Sequence, residues 1–314
     1  MAKHFSSKDI YELIIIGGGP AGVSAGIYAL RKKIKTLLLT KEFGGQIKRT
    51  FLVENYPPLK KISGEEFALR LKSHLFKYKA QVKEGIEIIK IKKEKNYFVL
   101  EDKDEKHFEA FSLIVATGRV PRKLNVKGEN KFLGRGVSYC SVCDGPLFED
   151  KRVAVIGGGN SGLETALELQ KYTKKVFILE RGERLIADEI LVEKAENSSK
   201  IEILTNSLIK EIFGKEMVEG ILYQDLVSGE EKKLKVEGIF VEIGSLPASS
   251  FVKGLLDLEK SGEIKINPLT CETNVAGIFA AGDVTNFPVK QLVTAVSMGA
   301  VAALSAYRYL KENY

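Results

Sequence analysis

Two stretches of this chain repeat one succession of apolar and polar positions. ELIIIGGGPAGVSAGIYALRKKIKTLLLT runs from Glu12 to Thr40, and RVAVIGGGNSGLETALELQKYTKKVFILE from Arg152 to Glu180. Each opens on consecutive apolar residues. Alternation would mark a strand wetted on one face, whereas continuity marks a strand buried on both. A glycine-rich turn follows, then apolar residues at helical spacing (AGIYALRKK; LETALELQK), then a second apolar strand (TLLL; VFIL). The pattern predicts strand, helix, strand, written twice. Two further apolar runs, SLIVATG (Ser112–Gly118) and GIFAAGD (Gly277–Asp283), flank the second copy and read as strands able to join the sheet of the first. The second nucleotide-binding unit is therefore expected to be inserted into the first, with hinges at Arg119–Pro121 and Gly244–Pro247, where Gly and Pro interrupt the pattern.

Both turns are GxGxxG: Gly17, Gly19 and Gly22, then Gly157, Gly159 and Gly162. The first glycine permits the tight turn, the second lets a pyrophosphate approach the backbone, and the third lets helix pack close on strand. The helix that follows offers unpaired N–H groups and a positive dipole end to phosphate. In the second turn Asn160 and Ser161 hold the first helical positions and are counted with its nucleotide contacts. Eighteen residues after the third glycine stand Thr40 in one copy and Glu180 in the other. An acid there hydrogen-bonds a free ribose hydroxyl and repels a 2′-phosphate, so Glu180 favours NADH. Arg181 beside it softens the preference and leaves NADPH open, and Thr40 leaves the first nucleotide undefined.

A chain of 314 residues with 44% hydrophobic content can build two cores. Its net charge of +7 comes from lysines interleaved with glutamates, without a basic block, stacking aromatics or zinc-finger spacing. That argues against a nucleic-acid partner. No apolar run is long enough to span a membrane, and MAKHFSSKDI lacks the features of a secretory signal. The expected location is cytoplasmic. The absence of Trp, three Met and three Cys, with abundant Lys and Glu, points toward a thermophilic source.

Two of the three cysteines, Cys140 and Cys143, form a CxxC directly followed by Asp144. The spacing allows a small disulfide ring or half of a zinc site. Tetrahedral zinc needs four ligands, and Cys271, His4, His74 and His107 stand at no metal spacing, so no metal is expected. In a reducing compartment the motif reads as redox-active. Asp144 is placed to act as acid or base for the adjoining thiol, or serves as a turn residue in CDGP. Cys271 reads as a buried or turn cysteine without a redox role.

The series GGGPAG, FGGQ, VEN, ATG, CxxCDG, GGGNSG and AAGD, in that order over essentially the whole chain, resembles the low-molecular-weight thioredoxin reductases. GVSYCSVCDGPLF, KRVAVIGGGNSGLE, ADEILVEK, CETNVAGIFAAGD and VKQL resemble most closely the reductase portion of the alkyl hydroperoxide reductase flavoprotein subunit. The resemblance implies an α/β chain of two Rossmann-like (FAD/NAD(P)-binding) three-layer nucleotide-binding domains. Residues 1–120 and 245–314 would form the FAD domain, and residues 121–244 an inserted NAD(P)H domain carrying the CxxC. FAD would contact Gly17, Gly19, Pro20, Ala21, Gly45, Gln46, Asn55, Thr117, Gly118, Gly282, Asp283, Lys290, Gln291 and Leu292. Asp283 would accept a hydrogen bond from a ribityl hydroxyl, or cap the segment after it.

The resemblance further implies that Cys143 faces the flavin and Cys140 attacks a partner's disulfide. It also implies a homodimer, and a rotation of the inserted domain that alternates nicotinamide and dithiol at one flavin. The flavoprotein of alkyl hydroperoxide reductase carries an N-terminal pair of thioredoxin-like folds. This chain opens about ten residues before its first strand, so the expected acceptor is a separate thioredoxin- or glutaredoxin-like protein. NADPH-specific thioredoxin reductases carry a His-Arg-Arg cluster and a later Arg after the second strand. Here Glu180, Arg181, Gly182 and Ile186 stand in those places, which again favours NADH. Other readings are an NADPH-linked reductase, a flavoprotein acting on oxygen or ferredoxin, and a non-catalytic redox sensor.

Overall fold

The computed structural model describes residues 10–49, 53 and 55–314, except the side chains of Arg49, Val142 and Cys143. The N-terminal segment with His4, and the glutamate of the VEN motif, lie outside the described residues. The chain divides into two compact units, Met1–Val120 with Leu246–Tyr314, and Pro121–Ser245. The second break falls one residue past the expected one.

In the first unit the chain builds β1 (Tyr11–Gly18), α1 (Pro20–Arg31), β2 (Thr36–Phe43), α2 (Gly64–Phe76), β3 (Gln81–Glu84), β4 (Ile88–Lys93), β5 (Phe98–Asp102) and β6 (His107–Val115). The strands lie in the order β3-β2-β1-β6-β5-β4. At the centre, Ile15 of β1 sits opposite Leu38 of β2 and Ile114 of β6, all in parallel register. Side chains alternate between the two faces of a strand, and here both faces are covered. Leu13, Ile15, Leu38 and Ile114 join one core with α1. Ile14, Ile16, Leu37, Leu39, Leu113 and Val115 join another with Phe98 and Leu100. That is why these strands are apolar without interruption. Each such side chain, fully buried, contributes about 1.5–3 kcal/mol. The start of α2 is a capping box, with Ser63 Oγ accepting from the Glu66 amide at 3.1 Å.

After β7 (Arg119–Pro121) the chain enters the second unit and builds β8 (Val137–Ser138), α3 (Ser141–Asp144), β9 (Arg152–Ile156), α4 (Asn160–Leu169), β10 (Lys175–Leu179), α5 (Glu189–Glu196), β11 (Ile201–Leu204), β12 (Ser207–Gly214), β13 (Val218–Asp225), β14 (Glu231–Leu234) and β15 (Gly238–Val241). A parallel sheet runs β11-β10-β9-β15-β8, and β12-β13-β14 form an antiparallel sheet. The same two-faced logic holds. Ala154, Ile156, Phe177 and Leu179 pack toward Ile212 and Ile221 of the antiparallel sheet. Val153, Val155, Val176 and Ile178 pack toward Leu163, Ala166 and Leu169 of α4.

The chain leaves through β16 (Ser245–Pro247), which pairs with β7. Back in the first unit, β17 (Ile278–Ala280) pairs in parallel with β6, Ile278 opposite Leu113. SLIVATG and GIFAAGD thus both enter the sheet begun by β1. The final helix α6 (Leu292–Asn313) lies on α1 so closely that a Cβ on Gly299 would stand 2.1 Å from the Ala21 carbonyl oxygen.

Close approach also governs the turns. A Cβ on Gly22 would lie 1.9 Å from the Gly17 carbonyl oxygen. Gly22→Ala is therefore expected to lower unfolding stability by about 1–3 kcal/mol, the usual cost of overpacking. Denaturant unfolding of the variant measures this, and an unchanged midpoint would contradict the packing described.

Candidate functional site

The two glycine turns are built alike. Gly17 and Gly157 have φ of +119° and +121°, in the region that favours glycine. A Cβ on them would lie 2.2 Å from the Ala116 carbonyl oxygen and 2.3 Å from that of Glu242. Gly22 and Gly162 are pressed against the carbonyls of Gly17 and Gly157, at 1.9 and 2.0 Å from an added Cβ. The middle glycines differ in kind. No described atom lies within 4 Å of a Cβ placed on Gly19, and Ile186 Cγ1, at 3.9 Å, is the one that does so at Gly159. So first and third glycines serve the protein's own packing, while the second borders open space. Helices α1 and α4 begin beside that space. Their N-caps, Gly19 and Gly159, are extended and have no side-chain cap, and neither first turn holds an acid. Unpaired N–H groups and a positive dipole end beside an open cradle fit a pyrophosphate in each unit.

The strand ends distinguish the two turns. The Gly18 amide donates to Thr40 Oγ1 at 3.0 Å, and that hydroxyl donates to the Glu42 carbonyl at 2.7 Å. Thr40 is buried and committed to these two bonds. In the second unit Glu180 Oε2 accepts from the Gly158 amide at 2.6 Å, and Oε1 from the Gly182 amide at 2.7 Å. A carboxylate has about four lone-pair sites, so Glu180 keeps acceptor capacity that Thr40 lacks. Arg181 next to it is exposed. The following loop folds back over the turn: the Ile186 amide donates to the Gly158 carbonyl at 2.9 Å. Asn160 and Asp188 pair reciprocally, the Asn160 side-chain amide donating to the Asp188 carboxylate at 3.0 Å and the Asp188 amide to Asn160 Oδ1 at 2.7 Å. Ser161 is exposed at the start of α4.

Around the first turn the first unit gathers the remaining candidates. A Cβ on Gly45 would meet Gly19 Cα at 3.3 Å, and one on Gly282 would meet Ala21 Cβ at 3.0 Å. Gly17 abuts the Ala116–Thr117 peptide. Thr117 Oγ1 donates to the Ala248 carbonyl at 2.7 Å, and the Ala248 amide to the Gly118 carbonyl at 2.9 Å. Gln46 Nε2 donates to the Arg119 carbonyl at 2.7 Å, and Asn55 Nδ2 to Gln291 Oε1 at 3.2 Å, where Leu292 opens α6. Burial pushes the Asp283 carboxyl up, with Lys290 and Arg119 opposing. Burial likewise lowers Lys290, whose ammonium donates to the Thr285 carbonyl. Asp283 caps no helix. Thr285 turns the chain back onto the Gly282 carbonyl, and the next helix starts only at Leu292. An ion pair without a sequence signature, Arg119 with Glu263 at 2.9 Å, adjoins this group. Burial alone would raise Glu263. The Ser261 hydroxyl and Arg119 outweigh it and hold the carboxyl down at about 2.

The redox motif lies in the second unit. Cys140 is disulfide-bonded, and the side chain of Cys143 lies outside the described residues. Ser138 holds Cys140 by its main chain, its hydroxyl accepting from the Cys140 amide at 2.9 Å and donating to the Cys140 carbonyl at 3.2 Å. Asp144 ends α3, its amide donating to the Cys140 carbonyl at 3.1 Å. Tyr139 donates to Glu129 at 2.5 Å, and burial together with that carboxylate pushes its phenol up. Cys271 is a buried free cysteine whose thiol burial raises to about 11. Among the described residues no group of three or more His, Cys, Asp or Glu could hold a metal ion, and no helix is long and apolar enough to cross a membrane.

The profile of the pyridine nucleotide-disulphide oxidoreductase family matches residues 11–299. The chain is similar to the alkyl hydroperoxide reductase flavoprotein (the F component) of Staphylococcus epidermidis, 39% identical over 99% of this chain and 61% of that protein. It thus spans about three fifths of the length of that relative. Its fold is similar to thioredoxin reductase of Lactococcus lactis, with a TM-score of 0.91 and 36% identity over 96% of this chain and 99% of that one. It is also similar to thioredoxin reductase of T. acidophilum, with a TM-score of 0.89 and 37% identity over 96% and 98%.

The Glu263 carboxyl, lowered from an ordinary 4.5 to about 2, adds stability that is present above pH 4.5 and lost as pH falls through about 2. Urea unfolding of wild type and Glu263→Gln across pH 3–7 is expected to show a gap that narrows toward the acid end. A gap independent of pH would contradict the ion pair's assigned role.

Proposed function

The chain belongs to the pyridine nucleotide-disulphide oxidoreductase family and is a disulfide oxidoreductase of thioredoxin reductase type, and we propose that it carries electrons from NADH through FAD and a Cys140–Cys143 disulfide to the disulfide of a thioredoxin- or glutaredoxin-like protein. The observation that carries this reading is the bonded Cys140 in the same unit as the second glycine turn. A dithiol pair beside a nucleotide site serves electron transfer and has no purpose in a binding module.

When bound, FAD supplies a carrier that takes hydride from reduced nicotinamide and passes two electrons to a disulfide. Gly17, Gly19, Pro20 and Ala21 would hold its pyrophosphate at the α1 N-terminus. Gly45, Gln46, Asn55, Thr117, Gly118, Gly282, Asp283 and Lys290–Leu292 would line the remainder. Gly157, Gly159, Asn160 and Ser161 would hold the nicotinamide dinucleotide. Glu180, anchored by the Gly158 and Gly182 amides, would accept from a ribose hydroxyl and repel a 2′-phosphate. Ile186, exposed beside Gly159, gives such a phosphate no cation. Once the disulfide is open, the Cys140 thiolate attacks a sulfur of the partner's disulfide and expels the other as thiolate. Cys143 then displaces the partner, closing the Cys140–Cys143 bond and freeing a reduced partner dithiol. Asp144 moves the proton at the Cys143 sulfur. A rotation of the inserted unit about β7 and β16 would let dithiol and nicotinamide use one flavin in turn.

Steady-state assays with NADH and NADPH are expected to give a kcat/KM ratio of at least about tenfold for NADH, roughly 1.4 kcal/mol of discrimination. Equal or better use of NADPH would overturn the role given to Glu180. Cys143→Ser is expected to keep NADH oxidation by an artificial acceptor and to lose protein-disulfide reduction by about 10³-fold or more. Undiminished disulfide reduction by that variant would overturn the dithiol route.

A further inference from the structure

One polar line in the second unit is unused by that mechanism. The hydroxyls of Ser141 and Thr165 lie 3.3 Å apart, and Thr165 Oγ1 donates to Glu242 Oε1 at 3.2 Å. Ser141 and Thr165 are 7% and 6% exposed. Ser141 follows Cys140 directly and opens α3, the helix that carries the CxxC. Glu242 follows β15 directly, and its carbonyl is the group a Cβ on Gly157 would strike. A single residue therefore touches the nucleotide turn through its backbone and the redox helix through two hydroxyls.

The direction of this line depends on one proton. An ionised Glu242 only accepts, so Thr165 commits its proton to the carboxylate and Ser141 must donate to Thr165. A protonated Glu242 can itself donate, which frees the Thr165 proton to turn toward Ser141. Two arrangements of one buried chain follow, and low local polarity strengthens both. The groups facing Glu242 are Thr165 and Glu164 on α4 and, through Thr165, Ser141 on α3. Asp188 acts on Glu164 in turn. Burial raises Glu242 to about 7, Glu164 adds to the rise, and the Thr165 hydrogen bond opposes it. The proton exchanges in the range where the enzyme would work.

We propose that Glu242 is a positioning residue for the redox disulfide, holding the first turn of α3 through Thr165 and Ser141 and taking up a proton as the disulfide opens. The inference rests on the disulfide-reductase reading above. Two electrons from NADH break the S–S bond and leave one on each sulfur. Negative charge near α3 then favours protonated Glu242, which takes its proton from solvent. That proton returns to solvent when the sulfurs are reoxidised by the partner's disulfide. By linkage, a proton on Glu242 and electrons on the sulfurs favour one another.

The test is the pH profile of iodoacetamide alkylation at Cys140 in flavin-loaded protein, read by peptide mass spectrometry. One sample is reduced by NADH and a parallel one by dithiothreitol. Wild type is expected to show an inflection near pH 7 in addition to that of the thiol. Glu242→Gln should lose it and react about threefold faster at pH 7, because an amide no longer opposes the thiolate. Thr165→Val, which cuts the line and leaves the carboxyl, should displace the inflection, and Thr165→Ser should restore it. Should Glu242→Gln fail to fold, the Thr165 pair decides alone. Profiles identical to wild type in the Glu242→Gln and Thr165→Val variants would overturn the proposal. Failure of NADH, but not dithiothreitol, to expose the thiol would instead overturn the disulfide-reductase reading, and the dithiothreitol profile would still decide the role of Glu242.

Discussion

The structure depends on how near a helix can come to the end of a strand. In both units the third glycine of the turn meets the carbonyl of the first, at distances that no side chain tolerates. This contact swings α1 and α4 so that their unpaired N–H groups face an opening beside the middle glycine. Everything that would recognise a dinucleotide follows from that opening. The phosphates are met by helix ends rather than by cations, and the side chains around the turn are left to choose between nucleotides.

The choice is visible in a single substitution between the repeats. Thr40 and Glu180 do the same structural work, each accepting the amide of the second glycine in the GGG run. The hydroxyl of Thr40 is then committed to Glu42. The carboxylate of Glu180 has a second oxygen and lone pairs to spare, and it is less deeply buried. One duplicated scaffold thus yields a turn closed at the strand end and a turn able to take a ribose hydroxyl there. The same unit carries Cys140, so the residues that would receive a nicotinamide and those that would pass electrons onward share one sheet.

Much of this is legible in the sequence because it is local or periodic. The unbroken apolar runs announce strands covered on both faces, and Leu13 to Ile16 divide alternately between two cores as such a run must. The register of the repeat singles out Glu180 without any distance. Interactions that join distant segments are not legible. The Asn160–Asp188 pair spans 28 residues, the Thr165–Glu242 bond 77 and the Arg119–Glu263 pair 144. None leaves a spacing that a pattern could reveal. Asp283 shows the reverse error: Gly-Asp before a polar segment looks like a helix start, yet Thr285 folds the chain back and delays the helix to Leu292.

The central claim is that this polypeptide stores electrons twice, once on a bound flavin and once on a sulfur pair. Anaerobic titration of the flavin-loaded protein with NADH, following flavin absorbance and free thiols together, tests it most directly. The account predicts uptake of about two equivalents of NADH per chain, with two thiols appearing as the flavin bleaches. Complete bleaching after one equivalent, with no new thiol, would contradict it.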